Sequence, residues 1–268
     1  MKPLEAIHGP YGEKVCINLP RYYFNKHLKS SKYTTTMKIP YYKTLLTIGL
    51  AFLTGISGYA QNKNKDARLA PYFSQGTTES ITPDEKGFIR RWLLLEPIDK
   101  PNRTNIVFTD SYIREAFNTV YFPTQFTKLP KNGETVKVGK QKLKWHALDS
   151  NLFNVKLFRF ATNLEKQYYG VLFWAATVIN CPEDIPNVRI SVGSNSASMW
   201  WLNGEEAVIL SGDRRMVKDD CLSKRLTLKK GKNIIRGAVI NGPGMSDFCI
   251  RILDEQGEPV KNFTISYK

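Results

Sequence analysis

Short apolar segments at turn-bounded intervals predict an all-β fold, an antiparallel β-sandwich with one short helix in its N-terminal half. Three observations carry this. From residue 168 onward the chain breaks into strand-length apolar runs separated by Gly, Pro and Asn. Val188, Ile190 and Val192 alternate with polar neighbours at period two. Asn203-Gly204 lies between two apolar runs, and both residues tolerate the positive φ of a tight hairpin turn.

The elements follow in order. The run FIRRWLLLE after Gly87 is a strand candidate stopped by Pro97. Thr109, Asp110 and Ser111 can cap a short helix over 112–122, with Glu115 in its first turn. Residues 130–133 form a turn, and Val136, Lys137 and Val138 followed by Gly139-Lys140 enter a hairpin. In the next strand Leu143, Trp145 and Ala147 share one face. Lys142, Lys144 and His146 share the other, which makes His146 a wet surface residue. Further strands fall at 168–180, 187–194, 198–202, 222–228, 233–241 and 246–254, with turns at Gly231, at Gly242-Pro243-Gly244 and at 255–257. The strands at 168–180 and 198–202 are apolar on both faces and hold Phe173, Trp174, Trp200 and Trp201. A sheet with one wet face does not read that way. Its outer face must be covered, by residues 84–165 or by a partner domain.

The N-terminal region reads differently. Lys38 and Lys43 give a cationic start, residues 45–56 carry no charge, and Gly58 and Ala60 are small residues before a cut that would leave Gln61 first. That is the layout of a secretory signal peptide over 37–60. The charge-free run spans only about 18 Å as a helix, against roughly 30 Å of hydrocarbon, so no stable membrane span is expected. Residues 1–36 show neither period and are read as an upstream extension before a true start at Met37; the alternative is a basic N-terminal tail. Residues 61–83 read as a linker or arm. The folded module is then 84–268, with 84–165 as a covering part and 166–268 as the core sandwich. The chain is expected to be secreted or periplasmic.

The full chain has 39 basic and 24 acidic residues, a net charge of +15. Residues 1–60 hold 8 of the basic and 2 of the acidic ones, so the remainder carries about +9. Export argues against nucleic acid, and the lysines are scattered, so the charge reads as a solvated surface. Cys181, Cys221 and Cys249 match no metal-ligand spacing. They allow one disulfide and a spare thiol, or three buried small apolar residues. No metal and no cofactor is called for.

Several segments carry a resemblance. Gly193-Ser194, the Trp-Leu-Asn-Gly hairpin at 201–204, the Leu-Lys-Lys-Gly-Lys-Asn run at 228–233 and the strand ending in Arg251 resemble the galactose-binding-like β-sandwich modules, jelly rolls attached to secreted carbohydrate-active enzymes. With KGFIRRWLLLEPI, KWHALDSNLFNVKLFRFA and VINGPGMSDF added, residues 86–268 are similar to Bacteroidetes proteins known as acetylxylan esterases. The resemblance implies xylan side-chain deacetylation in the neighbourhood of the module. It also implies either a plant cell-wall polysaccharide of the xylan type or a catalytic hydrolase domain as partner. Those modules often carry acidic residues after Gly-Ser, whereas Asn195 and Ser196 follow here, so a role for carboxylates in that turn has no support.

A serine esterase needs a nucleophile on a strained elbow, a His base and an acid to orient it. The chain holds no GxSxG, and His146 is the single histidine after residue 60. Any His-based triad must use His146, and no catalytic residue is otherwise expected. Asp213, Arg214, Arg215, Asp219 and Asp220 lie in one loop. They could hold a cation, position a glycan through bidentate Arg contacts, or hold the loop by internal ion pairs. Trp145 and Trp200 are candidates for aromatic sugar platforms, against core or interface packing for Trp200, while Trp201 should be a core residue. Three readings follow: a non-catalytic carbohydrate-binding or domain-docking module, an acetylxylan esterase, and a structural domain without a ligand.

Overall fold

A sheet apolar on both faces needs two covers, and the chain supplies both. The computed structural model describes residues 69–268. The signal-peptide and upstream-extension readings fall outside the described residues. Strands β1 (Phe73–Gln75), β2 (Arg91–Leu95), β3 (Ile98–Asp99), β4 (Thr135–Val138), β5 (Gln141–Ser150) and β6 (Val171–Cys181) come first. Then come β7 (Ile185–Ser194), β8 (Ala197–Leu202), β9 (Glu205–Leu210), β10 (Cys221–Leu222), β11 (Leu226–Leu228), β12 (Gly231–Asn241), β13 (Phe248–Leu253) and β14 (Thr264–Ser266). Two short helices, α1 (Asp110–Asn118) and α2 (Leu157–Asn163), interrupt them. This is an antiparallel all-β sandwich.

The larger sheet runs β1-β5-β2-β6-β12-β8-β9. β12 pairs with β6 along its whole length, from Gly231 opposite Cys181 to Asn241 opposite Val171. The other edge of β6 is shared by β3, β2 and β14 in succession. The smaller sheet centres on β7, which pairs with β10, β11 and β13. Asn203 and Gly204 take φ of 53° and 93° and close the β8–β9 hairpin as their types predict. β4 and β5 form the hairpin expected at Gly139-Lys140, with Val138 opposite Gln141.

Period-two alternation sorts the side chains of the large sheet into two cores. Trp92, Leu94, Phe173, Trp200, Ile235 and Val239 point inward and meet Val188, Ile190, Phe248 and Ile250 of the small sheet. Leu93, Leu95, Trp174, Met199, Trp201 and Ile240 point outward and are also buried. The outer cover comes from the N-terminal half. Ile113, Ala116 and Phe117, spaced i, i+3, i+4 on α1, are buried with Phe108 and Phe122. Phe126 sets its ring edge against Trp174 and Trp201, 5.5 and 5.9 Å between centroids. The part expected only to cover also builds the sheet, because β2 and β5 belong to it.

Local expectations held in kind and moved at their ends. Thr109 caps α1 by accepting from the Tyr112 amide at 3.3 Å, but the helix ends at Asn118, not at 122, and its first-turn acid is Asp110. α2 carried no capping signal in the sequence and has no side-chain cap. Within the stretch read as linker or arm, Phe73 is buried and β1 pairs with β5. Cys181, Cys221 and Cys249 form no disulfide with one another, and the first and last are buried; burial pushes the Cys249 thiol up to about 12. Among the described residues no helix is long and apolar enough to cross a membrane.

The inner core makes a sharp demand at one glycine. A Cβ on Gly237 would lie inside the Trp200 ring. Gly237→Ala is therefore expected to cost about 1–3 kcal/mol by overpacking, and Trp200→Ala about 3–5 kcal/mol by leaving a cavity. Urea unfolding followed by tryptophan fluorescence measures both. A Gly237→Ala variant as stable as the wild type would contradict this packing.

Candidate functional site

Where the strands of the sandwich run out, their connecting loops enclose a cleft of about 360 Å³. Its floor is Asp247, the residue before β13. Its side chain is 3% exposed and receives Lys156 Nζ at 2.5 Å on Oδ2. Asn154 Nδ2 donates to the same oxygen at 2.6 Å. The Asp247 amide donates to Asn195 Oδ1 at 2.6 Å, and the Asn195 amide returns a bond to the Asp247 carbonyl at 3.2 Å. Asp247 thus ties the loop before α2 to the turn after β7. The Gly-Ser turn is followed by Asn195 and Ser196, neither of them an acid. The carboxylate at this place arrives from the opposite strand.

The far wall is the loop between β9 and β10. Asp213 Oδ1 accepts from Asn105 Nδ2 at 2.8 Å, and the same amide reaches the Pro243 carbonyl at 3.1 Å. Arg214 pairs with Asp220 and donates to the Ser211 carbonyl at 3.0 Å. Arg215 is exposed and Met245, on the opposite lip, is 59% exposed. Three buried atoms of lining residues have no partner: Asp247 Oδ1, Asn105 Oδ1 and Arg214 Nε.

Two carboxylates of this region respond oppositely to their surroundings. Burial pushes Asp247 above the usual carboxylate range, although Lys156 and Asn154 pull the other way. Asp219 is also pushed up by burial, but the Arg251 guanidinium and the Ser191 hydroxyl outweigh this and hold it below the ordinary value. Asp219 accepts Arg251 Nε at 2.8 Å and Ser191 Oγ at 2.5 Å, so it braces β7 against β13.

The structure splits the five loop residues singled out in the sequence. Asp213, Arg214 and Arg215 line the cleft, whereas Asp219 and Asp220 hold the loop through ion pairs. Neither tryptophan candidate presents a face to solvent. Trp200 is fully buried between Trp92 and Phe248, ring centroids 5.8 and 4.7 Å away, with its Nε1 bonded to Ser198 Oγ at 3.0 Å. Trp145 lies under Phe122 on the outer face, at 6.3 Å. Trp201 is buried as expected. Asp247, Lys156, Asn105 and Asn195 were missed. The one available signal was Asp247 itself, a lone acid between a Gly-Pro-Gly loop and an apolar strand.

His146 is a further correction. It shares a strand face with Lys142 and Lys144, but it is not wet. That face turns into the sandwich at its far end, where Phe160 of α2 covers the imidazole edge-on at 5.4 Å. Its Nε2 bonds Glu96 Oε1 at 3.2 Å, and Lys166 meets the other Glu96 oxygen at 3.3 Å. Burial raises the Glu96 carboxyl, yet these bonds outweigh it and hold the group low. Ser194, in the Gly-Ser turn, is buried and donates its hydroxyl to the Ser196 carbonyl at 2.6 Å.

No protein-family model matches the chain, and no curated protein matches it. Several solved structures share part of its outline. A PA14 sugar-binding domain from an RTX adhesin is 8% identical at a TM-score of 0.37, over 65% of this chain and 96% of that one. The PA14 domain of the antifreeze protein MpAFP is 11% identical at 0.36, over 71% and 96%. A β-glucosidase from Kluyveromyces marxianus, in complex with glucose, is 19% identical at 0.27, over 44% and 14%. Likeness at this level carries no argument about function.

The opposed shifts give opposite pH slopes. A carboxylate held low stabilises the fold above its unfolded pKa, and that contribution is lost as pH falls through the folded value. Asp219→Asn should therefore cost about 2 kcal/mol at neutral pH, and progressively less as pH falls below about 4. A carboxylate held high favours the fold most in acid and loses that as pH rises through its folded value. Asp247→Asn should lose less, relative to wild type, as pH rises. Urea midpoints of both variants between pH 3 and 8, taken as roughly that range, measure this; parallel slopes would contradict the assignment.

Proposed function

We propose that this chain is an exported, non-catalytic module that binds a neutral polysaccharide in the cleft around Asp247. The single observation that carries the reading is the chemistry of that cleft. Its volume lies in the range of small-molecule sites, roughly 300–1,000 Å³. Its charges are largely spent on one another: Lys156 on Asp247, Arg214 on Asp220. Asn105, Asn195 and Asp213 add amide and carboxylate groups, and Met245 adds an exposed aliphatic surface. A near-neutral wall of mixed donors and acceptors suits ligand hydroxyls, which both donate and accept, better than it suits an ion. Exposed Asp213 and Arg215 supply hydrogen-bonding capacity that a ligand in the cleft can reach.

Export rests on the signal-peptide pattern at 37–60. Xylan is the polysaccharide class proposed, and xylan deacetylation the setting, on the sequence resemblance. The non-catalytic reading rests on His146, whose Nε2 is engaged by Glu96 rather than by a serine, and on the lack of a GxSxG elbow in the sequence.

Affinity electrophoresis in acetylated and deacetylated xylan tests the reading. The wild type should be retarded. Asp213→Ala and Arg215→Ala, both at exposed positions, should each weaken binding about tenfold, the worth of one lost hydrogen bond of about 1.4 kcal/mol. No retardation, or retardation unchanged in both variants, would sink the binding proposal. Hydrolysis of an aryl acetate that disappears in His146→Ala would sink the non-catalytic one.

A further inference from the structure

We propose that Arg236 forms a second ligand site, a buried pocket for one compact anion between the outer face of the large sheet and the 122–130 segment that covers it. This does not rest on the cleft around Asp247.

Arg236 sits on β12, opposite Ala176 of β6 and Trp201 of β8. Its place in the alternation points the side chain outward with Ala238 and Ile240, into the covered core. It is 7% exposed. Among the described residues it makes no ion pair and its side chain makes no hydrogen bond. Arg91, also buried, shows the usual solution: a bidentate pair with Asp149 at 2.8 and 2.7 Å. Asp149 raises the Arg91 pKa, whereas burial, with nothing to oppose it, lowers that of Arg236. A guanidinium does not discard its proton in a protein, so its buried charge calls for a counter-charge.

The space beside it is built from donors. Arg236, Trp174, Trp145, Phe122, Gln125 and Lys128 line a cavity of about 10 Å³. Trp174 Nε1, which can only donate, is buried without an acceptor. Gln125 has both side-chain atoms committed, its oxygen to the Tyr121 amide and its nitrogen to the Thr119 carbonyl, each at 2.8 Å. Lys128 is already paired with Glu134 at 3.2 Å. A positive charge without a protein counter-charge and a residue with an orphaned donor thus line one cavity about the size of a single water. A sugar ring does not fit there; a halide ion does, and so does the end of one carboxylate.

The test uses the full chain in buffer of constant ionic strength, with a bulky organic anion as the balancing salt. Sodium bromide and sodium formate are titrated separately, read by thermal midpoint and tryptophan fluorescence. A saturable response is expected, with the midpoint rising about 2–4 °C. Saturation by bromide assigns a free inorganic ion; saturation by formate alone assigns a carboxylate. Arg236→Met should abolish the response, and Trp174→Phe should weaken it about five- to tenfold. Failure of both anions to saturate, or identical responses in wild type and Arg236→Met, would overturn the proposal. Should Arg236→Met not fold, bromide-soaked wild-type crystals decide. Anomalous density within hydrogen-bond distance of Arg236 and Trp174 Nε1, or formate ordered there in a parallel soak, supports the site; a water there after both soaks refutes it.

Discussion

The constraint behind this molecule is a large sheet with two apolar faces. β6 and β8 carry hydrophobic side chains at nearly every position, and β12 between them buries Ile235, Ala238, Val239 and Ile240, so pairing them in one sheet creates two surfaces that water must not reach. The small sheet takes one. α1 and the segment after it take the other, which gives α1 its place in a β-sandwich. Stacked Trp174 and Trp201, 5.5 Å apart, hold the centre of the outer layer, and Trp92, Trp200 and Phe248 hold the inner one.

Double burial has a polar consequence. Strand positions are assigned to faces by parity alone, so a polar residue in a doubly covered strand has no wet side to choose. The chain answers this differently at different places. Arg91 is given Asp149, with Tyr267 bonded to the same carboxylate at 3.0 Å. His146 is given Glu96. Arg236 is given no protein partner among the described residues, and the cavity beside it is the exception that the rest of the core makes conspicuous.

The cleft around Asp247 follows from the same architecture. Strands that are buried on both faces show no open face to water, so the polar groups that water reaches gather where strands end and loops begin. Asp247 links two such loops and Asp213 a third. The overall positive charge of the chain does not concentrate there, because two of the cleft's cations are paired, Lys156 with Asp247 and Arg214 with Asp220. Charge summed over a sequence describes the solvated surface and not the site.

Much of this fold was legible in the sequence, and little of the site. Strand positions, the Asn203-Gly204 turn, the Thr109 cap and the doubly apolar strands depend on near neighbours along the chain, through side-chain alternation and backbone φ, so local pattern reveals them. The need for an outer cover was legible too, but not its composition, since β2 and β5 were free to cover the sheet or to join it. His146 looked wet because parity specifies a face without saying what lies against it, and Phe160 is fixed there only by packing. Asp247, Lys156, Asn105 and Asn195 are far apart in sequence and meet through loop closure alone. Sequence by itself determined which segments extend and where they turn, because those preferences are short-range. Which polar groups share a cleft or a buried pocket was decided by the stacking of layers, because burial and pairing are properties of the assembled volume.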